Sequence, residues 1–289
     1  MERNRLIKNH FSRVRGLLKN VRVIYSDLDN TLLGPRGSIF MTPDHKFSIK
    51  PILSLLKLIE ADIDVVLVSG RNLYQLREIA RLLSIDNFIS ELGCLIFYDQ
   101  GKEVLQNYDF ATPEGKTLHE AVTDSGAPSL LLTHFKDHLE YHTPWSNKQT
   151  CTHLFRGLID VEEANDLLSG SGFGGLRIID NGSSRAKTKI PNVSEVRVYH
   201  LLPAGTSKAS AIRKDQAKRK IKPTETIALG DSLADLEMAE AVNAFFMVAD
   251  NIAEKTQLSA KLLSYDNTYL TTKKMGLGWA EVADLIIPE

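Results

Sequence analysis

Three short apolar runs stand out along the chain, and each closes on polar residues. Residues 21–26 (Val-Arg-Val-Ile-Tyr-Ser), 64–69 (Asp-Val-Val-Leu-Val-Ser) and 226–230 (Thr-Ile-Ala-Leu-Gly) have the hydrophobic continuity of strands buried in a parallel sheet. Between and after them the apolar positions space out to every third or fourth residue. Residues 50–60 and 72–83 read as helices, the second with Leu73, Leu76, Ile79, Ala80 and Leu83 on one face. Residues 233–242 read as a further amphipathic helix and 245–249 as an edge strand. The middle of the chain has its own order: helices over 116–123, 129–139 and 161–168, strands over 151–156, 176–180 and 196–201, and Gly- and Ser-rich loops at 169–175 and 181–184. The pattern predicts an α/β core built from residues 21–102 and 202–289, interrupted by a separate α+β domain over 103–201.

Residues 1–20 differ from all of this. Arg3, Arg5, Lys8, Arg13, Arg15 and Lys19 face a single acid, Glu2, while Ile7, Phe11, Val14 and Leu18 recur at helical spacing. The segment reads as a basic amphipathic helix docked on the domain surface; organelle targeting or attraction to an acidic surface is the alternative. The whole chain, at 289 residues, is long enough for two domains. A net charge of −1 with 25% charged residues gives no bias toward nucleic acid or membrane, so a small soluble substrate is the easier partner. Cys94 and Cys151 are too few and too far apart for a disulfide framework or a zinc ribbon, which points to a reducing cytoplasm. No apolar stretch is long enough to span a bilayer.

The chemistry sits where the runs end. The first delivers Asp27 and Asp29, then Thr31; the second delivers Ser69 and Gly70; the third delivers Asp231 and Ser232. Ligands of open parallel sheets bind at the carboxyl ends of the strands. Two acids at i and i+2 can share a site, one as nucleophile or metal ligand and the other as proton donor, although Asp and Asn after a strand also make plain turns. The helix over 72–83 aims its N-terminus back at Ser69 and Gly70, where unpaired N–H groups favour an anion; Ser69 could equally cap that helix. His134, His138 and His142 recur every four residues, with Asp137 and Glu140 nearby, and read as a surface-helix pattern rather than a metal stripe, since Pro144 ends the helix early.

Four ordered motifs carry a resemblance to a known family: Asp27-Leu28-Asp29-Asn30-Thr31, Ser69-Gly70, Lys208 in Gly205-Thr206-Ser207-Lys208, and Gly230-Asp231-Ser232-Leu233-Ala234-Asp235. Over residues 21–95 and 202–285 the chain resembles the haloacid dehalogenase superfamily of aspartate-nucleophile phosphatases. It is similar to the branch with a type-two cap, which includes Cof-like, sucrose-phosphate and mannosyl-phosphoglycerate phosphatases. The resemblance implies a Rossmann-like parallel-sheet core with the α+β insertion, between the second and third motifs, as a cap over the site. Glu91-Leu92-Gly93 resembles the point where that cap departs, and residues 275–282 resemble the closing loop and helix.

The resemblance also implies roles. Asp27 would be the nucleophile and Asp29 the acid and base; Thr31, Ser69, Gly70 and Lys208 would bind phosphate. Mg2+ would be held by Asp27, the backbone carbonyl of Asp29 and Asp231. Asp235 would support Lys208, or with Ser232 would simply close the start of a helix. One departure is Ala234, where relatives usually carry Asn. The expected function is a magnesium-dependent phosphatase of a small phosphorylated metabolite, a sugar or sugar-acid phosphate, working through an aspartyl phosphate. A phosphomutase using the same acids, or a metabolite-binding regulator on an inactive scaffold, are the alternatives. The basic stretch 185–189, with Arg185, Lys187 and Lys189, is the expected place for the cap to meet substrate.

Overall fold

The structure, a computed structural model, describes residues 5–183, 188, 190, 193, 195–248 and 256–287. The three apolar runs become adjacent strands at the centre of one sheet. β1 (Val23–Ser26) lies between β2 (Asp64–Val68) and β10 (Thr226–Gly230), parallel to both, with Val23 opposite Asp64 and Thr226. Their carboxyl ends therefore finish side by side. On one flank β11 (Ala244–Met247) and β12 (Thr268–Leu270) continue the parallel order. On the other come β3 (Phe88–Ser90), parallel to β2, and the antiparallel strands β4 (Leu95–Tyr98) and β5 (Glu103–Gln106). The eight strands run β12-β11-β10-β1-β2-β3-β4-β5.

Both faces of this sheet are covered, which is why its three central strands are apolar at every position between their ends. One face buries Ile24, Val65 and Leu67 with Val14, Leu18, Leu58, Leu76 and Trp279 from α1 (Phe11–Leu18), α2 (Lys50–Glu60), α3 (Leu73–Leu82) and α10 (Met275–Ile286). The other buries Tyr25, Val66 and Val68 with Ile212, Leu236 and Leu262 from α7 (Lys208–Arg219), α8 (Leu233–Leu236) and α9 (Thr256–Leu263). The expected helix over 233–242 is thus one short α-helical turn followed by a 3₁₀ turn, Glu237–Glu240. The segment expected as an edge strand lies inside the sheet, because the three-residue β12, too short to show a period, pairs outside it.

The inserted domain is a four-stranded antiparallel sheet of order β6 (Leu139–Tyr141), β7 (His153–Gly157), β9 (Arg197–Pro203), β8 (Leu176–Ser183). α4 (Leu118–Ser125), α5 (Ala127–His134) and α6 (Val161–Gly170) cover one face through Val122, Leu131, Leu168, Phe155, Ile178, Tyr199 and Leu201. Strand alternation puts Glu140, Arg156, His200 and Asn181 on the other face. Residues 103–106 pair within the core sheet and Leu202 and Pro203 belong to β9, so the insertion occupies a slightly shifted stretch compared with 103–201. The helix expected over 129–139 ends at His134: the chain reverses through Asp137, whose φ is +68°, and enters β6. Arg185, Lys187 and Lys189 lie outside the described residues.

The N-terminal segment is docked on the core. Ile7, Val14 and Leu18 are buried, while Phe11 stays half exposed beneath the Arg15 guanidinium. Leu6 pairs alongside Leu270 of β12, and Arg5 donates to the carbonyls of Asp266 and Thr268. Among the described residues no helix is long and apolar enough to cross a membrane.

Candidate active site

Asp27 leaves β1 with its N–H donated to the Leu229 carbonyl at 2.9 Å, so it sits where the three central strands end. Its own carbonyl accepts the Ser26 hydroxyl at 2.7 Å, and that hydroxyl in turn accepts Trp279 Nε1–H at 3.0 Å. Helix α10 thus braces the loop that carries Asp27. Lys208, the first residue of α7, is 2% exposed, and its ammonium donates to Asp27 Oδ1 at 2.8 Å, to the Val68 carbonyl at 3.1 Å and to Asp235 Oδ1 at 2.5 Å. A lone lysine in the sequence becomes the hub that ties β1, β2 and the loop after β10.

The other Asp235 oxygen accepts the N–H groups of Asp231 and Ser232, at 3.1 and 2.9 Å, and the Ser232 hydroxyl at 2.6 Å. Ser232 and Asp235 close a capping box on α8 while Asp235 also meets Lys208, so the two contacts coexist. The loop can fold this tightly only because Gly230 has no side chain: a β-carbon there would lie 2.2 Å from Asp235 Cβ. Asp27, Asp231 and Asp235 each bring a carboxylate oxygen within 4.8 Å of the others, the one such acidic or metal-ligating group among the described residues. Ala234 is buried in α8.

Two carboxylates share one ammonium in a buried space, and the charges do not balance. Burial above all, and then the Asp235 charge, raise the Asp27 carboxyl to about 7 against the pull of Lys208. Burial works against the Lys208 charge, but Asp235 and Asp27 outweigh it and hold the ammonium well above its ordinary range.

Asp29 points away from this hub. Its half-exposed carboxylate receives a bidentate pair from Arg71, Nε to Oδ2 at 2.8 Å and Nη2 to Oδ1 at 2.6 Å. Arg71 was not singled out by the sequence, although its place directly after Gly70 at the end of β2 was a usable signal. Ser69 is buried and its hydroxyl accepts the Arg71 N–H at 3.3 Å. It does not cap α3: that is done by Asn72, which closes a capping box with Gln75. Thr31 is fully buried with its hydroxyl unpaired, and it makes no hydrogen bond to Asp27.

The cap reaches this loop through Asn181 and His200, which no sequence pattern singles out. A β-carbon on Gly70 would lie 2.9 Å from Asn181 Nδ2 and 3.0 Å from His200 Nε2. Polar residues on one face of a strand become visible as site residues only once the sheet is docked. Glu91 holds that docking: fully buried, at φ +47° and followed by Leu92 at +57°, it accepts the N–H groups of Thr150, Cys151 and Thr152 and the hydroxyls of Thr150 and Thr152. His134, His138 and His142 do not converge, since α5 ends at His134, which pairs with Glu163 at 2.9 Å.

The family model for haloacid dehalogenase-like hydrolases matches residues 24–169 and 178–268. Among curated proteins the chain is 25% identical over 237 residues to an HMP-PP phosphatase of Citrobacter koseri, covering 76% of this chain and 81% of that one. It is 24% identical over 271 residues to a phosphoglycolate phosphatase of Methanospirillum hungatei, covering 93% and 97%. Among solved structures, the sucrose-phosphatase from Synechocystis in complex with sucrose and phosphate superposes with a TM-score of 0.60 at 16% identity, covering 93% of this chain and 98% of that one. A haloacid dehalogenase-like hydrolase from Bacteroides thetaiotaomicron gives 0.59 at 17% identity, covering 92% and 100%. These two likenesses speak for the fold.

Proposed function

The chain belongs to the haloacid dehalogenase-like hydrolases, and from that premise we propose that it hydrolyses a small phosphorylated metabolite with magnesium, through an aspartyl phosphate on Asp27. The observation that carries this reading is the buried Asp27–Lys208–Asp235 arrangement with Asp231 beside it. A carboxylate approaching a phosphate dianion meets repulsion of about 4 kcal/mol per charge pair at ~4 Å and an effective dielectric of ~20, so cations must be in place beforehand. Lys208 supplies one at Asp27 itself.

The donor set fits a second. Asp27 and Asp231, with the Asp29 backbone carbonyl, offer hard oxygens suited to magnesium, whereas Asp235 is already committed to four donors and supports from behind. When bound, the ion would neutralise charge on the phosphate oxygens. Asp27 then attacks phosphorus, Ser69 and the Gly70 N–H hold phosphoryl oxygens, and Asp29 protonates the leaving alcohol before taking a proton from the attacking water. For the first of those tasks Asp29 has to carry a proton, so the Arg71 pair must open when substrate arrives.

Relatives named for HMP-PP, phosphoglycolate and sucrose phosphate support a phosphate ester of a small metabolite as the substrate class. The test is phosphate release across a panel of phosphorylated metabolites, with magnesium and again with a chelator. Mass spectrometry of rapidly quenched protein should find phosphate on Asp27; label trapped on another residue, or turnover indifferent to the chelator, would overturn the reading.

A further inference from the structure

His200 is 1% exposed, yet its Nε2 and the Asn181 Nδ2 both lie against Gly70 and make no hydrogen bond among the described residues. The opposite edge of the ring is anchored: His200 Nδ1 lies 3.1 Å from Thr152 Oγ1. Thr152 has one hydroxyl proton. Three acceptors lie within its reach, His200 Nδ1 at 3.1 Å, Glu91 Oε2 at 3.2 Å and the Gln149 carbonyl oxygen at 3.4 Å, and the carboxylate is the strongest of them. With that proton spent on Glu91, the Thr152 oxygen can only accept, so His200 must carry its hydrogen on Nδ1. Nε2 is left as a bare lone pair turned toward the phosphate loop. Burial and the nearby Lys208 ammonium press the imidazole pKa down to about 3, which keeps that lone pair unprotonated.

We propose that His200 is a specificity-determining residue: its Nε2, fixed as an acceptor by the Glu91–Thr152 chain, and the Asn181 amide beside it select phosphate monoesters that carry a hydroxyl close to the phosphoryl group. The inference rests on the phosphatase reading of the site. An alcohol donates to Nε2 and accepts from the amide N–H, satisfying both groups at once. A carboxylate or second phosphate brings only lone pairs to Nε2, and an alkyl group leaves both nitrogens unpaired. Thr152 and Glu91 are positioning residues in this scheme.

The experiment compares three esters that share the CH2–O–phosphate unit and differ only at the second carbon: 2-hydroxyethyl phosphate, ethyl phosphate and phosphoglycolate, with p-nitrophenyl phosphate as the general probe, all with magnesium. In the wild-type protein kcat/KM for 2-hydroxyethyl phosphate should exceed both others by about 10-fold. His200→Leu should bring the ratios close to one, while His200→Gln, whose carbonyl can present an acceptor at similar reach, should keep much of the preference. Nitrogen-15 NMR of histidine-labelled protein should show His200 with Nδ1 protonated and Nε2 bare, and Thr152→Val should loosen that assignment. The wild-type ratios and the spectrum decide the matter even if the His200 variants do not fold. Hydrolysis of p-nitrophenyl phosphate with no preference for the hydroxyl ester, or a proton on Nε2, overturns the role of His200 alone. Failure to hydrolyse any of the four esters overturns the phosphatase reading and this proposal with it.

Discussion

Single side chains decide how far the chemistry could be anticipated. Asp27, Asp231, Asp235 and Lys208 were legible because each falls in an ordered motif, and the fold brings all of them to one hub. Glu91 was legible as the point where the cap departs but not as an acceptor for groups about 60 positions away, and the partners that give Arg71 and His200 their meaning lie 42 and 48 positions off, a separation no local pattern encodes. Asp29→Asn is expected to retain the fold and to lower turnover of an alkyl phosphate by roughly 10²-fold or more, because the leaving alkoxide then departs unprotonated. Steady-state kinetics with alkyl and nitrophenyl esters check it, and a near-wild-type rate on the alkyl ester would remove Asp29 from that role. Two buried histidines make a second prediction. Burial, with the charges of neighbouring His119 for His153 and of Lys208 for His200, holds both pKa values at about 3 against an ordinary 6.5. Between those values the unfolded chain binds the extra protons, so stability is intact above about pH 6.5 and falls as acid is added, by up to about 1.4 kcal/mol per pH unit for each ring. The urea midpoint should drop between pH 7 and pH 5, and His153→Phe, which can keep the stack against His119 and Phe155, should flatten that dependence.

At the level of elements, the long buried strands announced themselves, and the short ones did not. β6 and β12 have three residues each, too few for a period, and exist because neighbouring strands accept their hydrogen bonds. The hairpin of β4 and β5 turns through Asp99, Gln100 and Gly101, all at positive φ. Glu91 is the junction between elements: its five hydrogen bonds fasten the entry to β7 onto the core. Glu91→Ala should therefore strand the buried backbone N–H groups of Cys151 and Thr152 and the partly buried one of Thr150, and cost about 3 kcal/mol or more. Hydrogen exchange at residues 150–152 should accelerate far more than exchange in β1 or β10. Equal protection in both regions would mean that the cap is held by other contacts.

On the scale of the whole molecule, the order of apolar runs was enough to foresee a parallel core interrupted by an α+β insertion, and what escaped it was how the two sheets meet. The N-terminal segment belongs to this scale as well. Ile7, Val14 and Leu18 are buried against the core, at about 1.5–3 kcal/mol of apolar burial each before the cost of ordering the chain. A chain beginning at residue 20 should melt several degrees lower, yet turn over substrate at the full rate per folded molecule, which thermal denaturation and kinetics at low temperature will measure together. Loss of catalysis in a folded truncation would place the segment in the site. The pairing of Leu6 beside Leu270 adds a colloidal consequence. β12 ends the large sheet, and a terminal strand with bare amides and carbonyls is a template for a neighbouring chain. With Leu6 laid along it, part of that template is occupied from within, so the truncated protein should self-associate as its concentration rises, visible in light scattering, while the full chain at the same concentration stays dispersed.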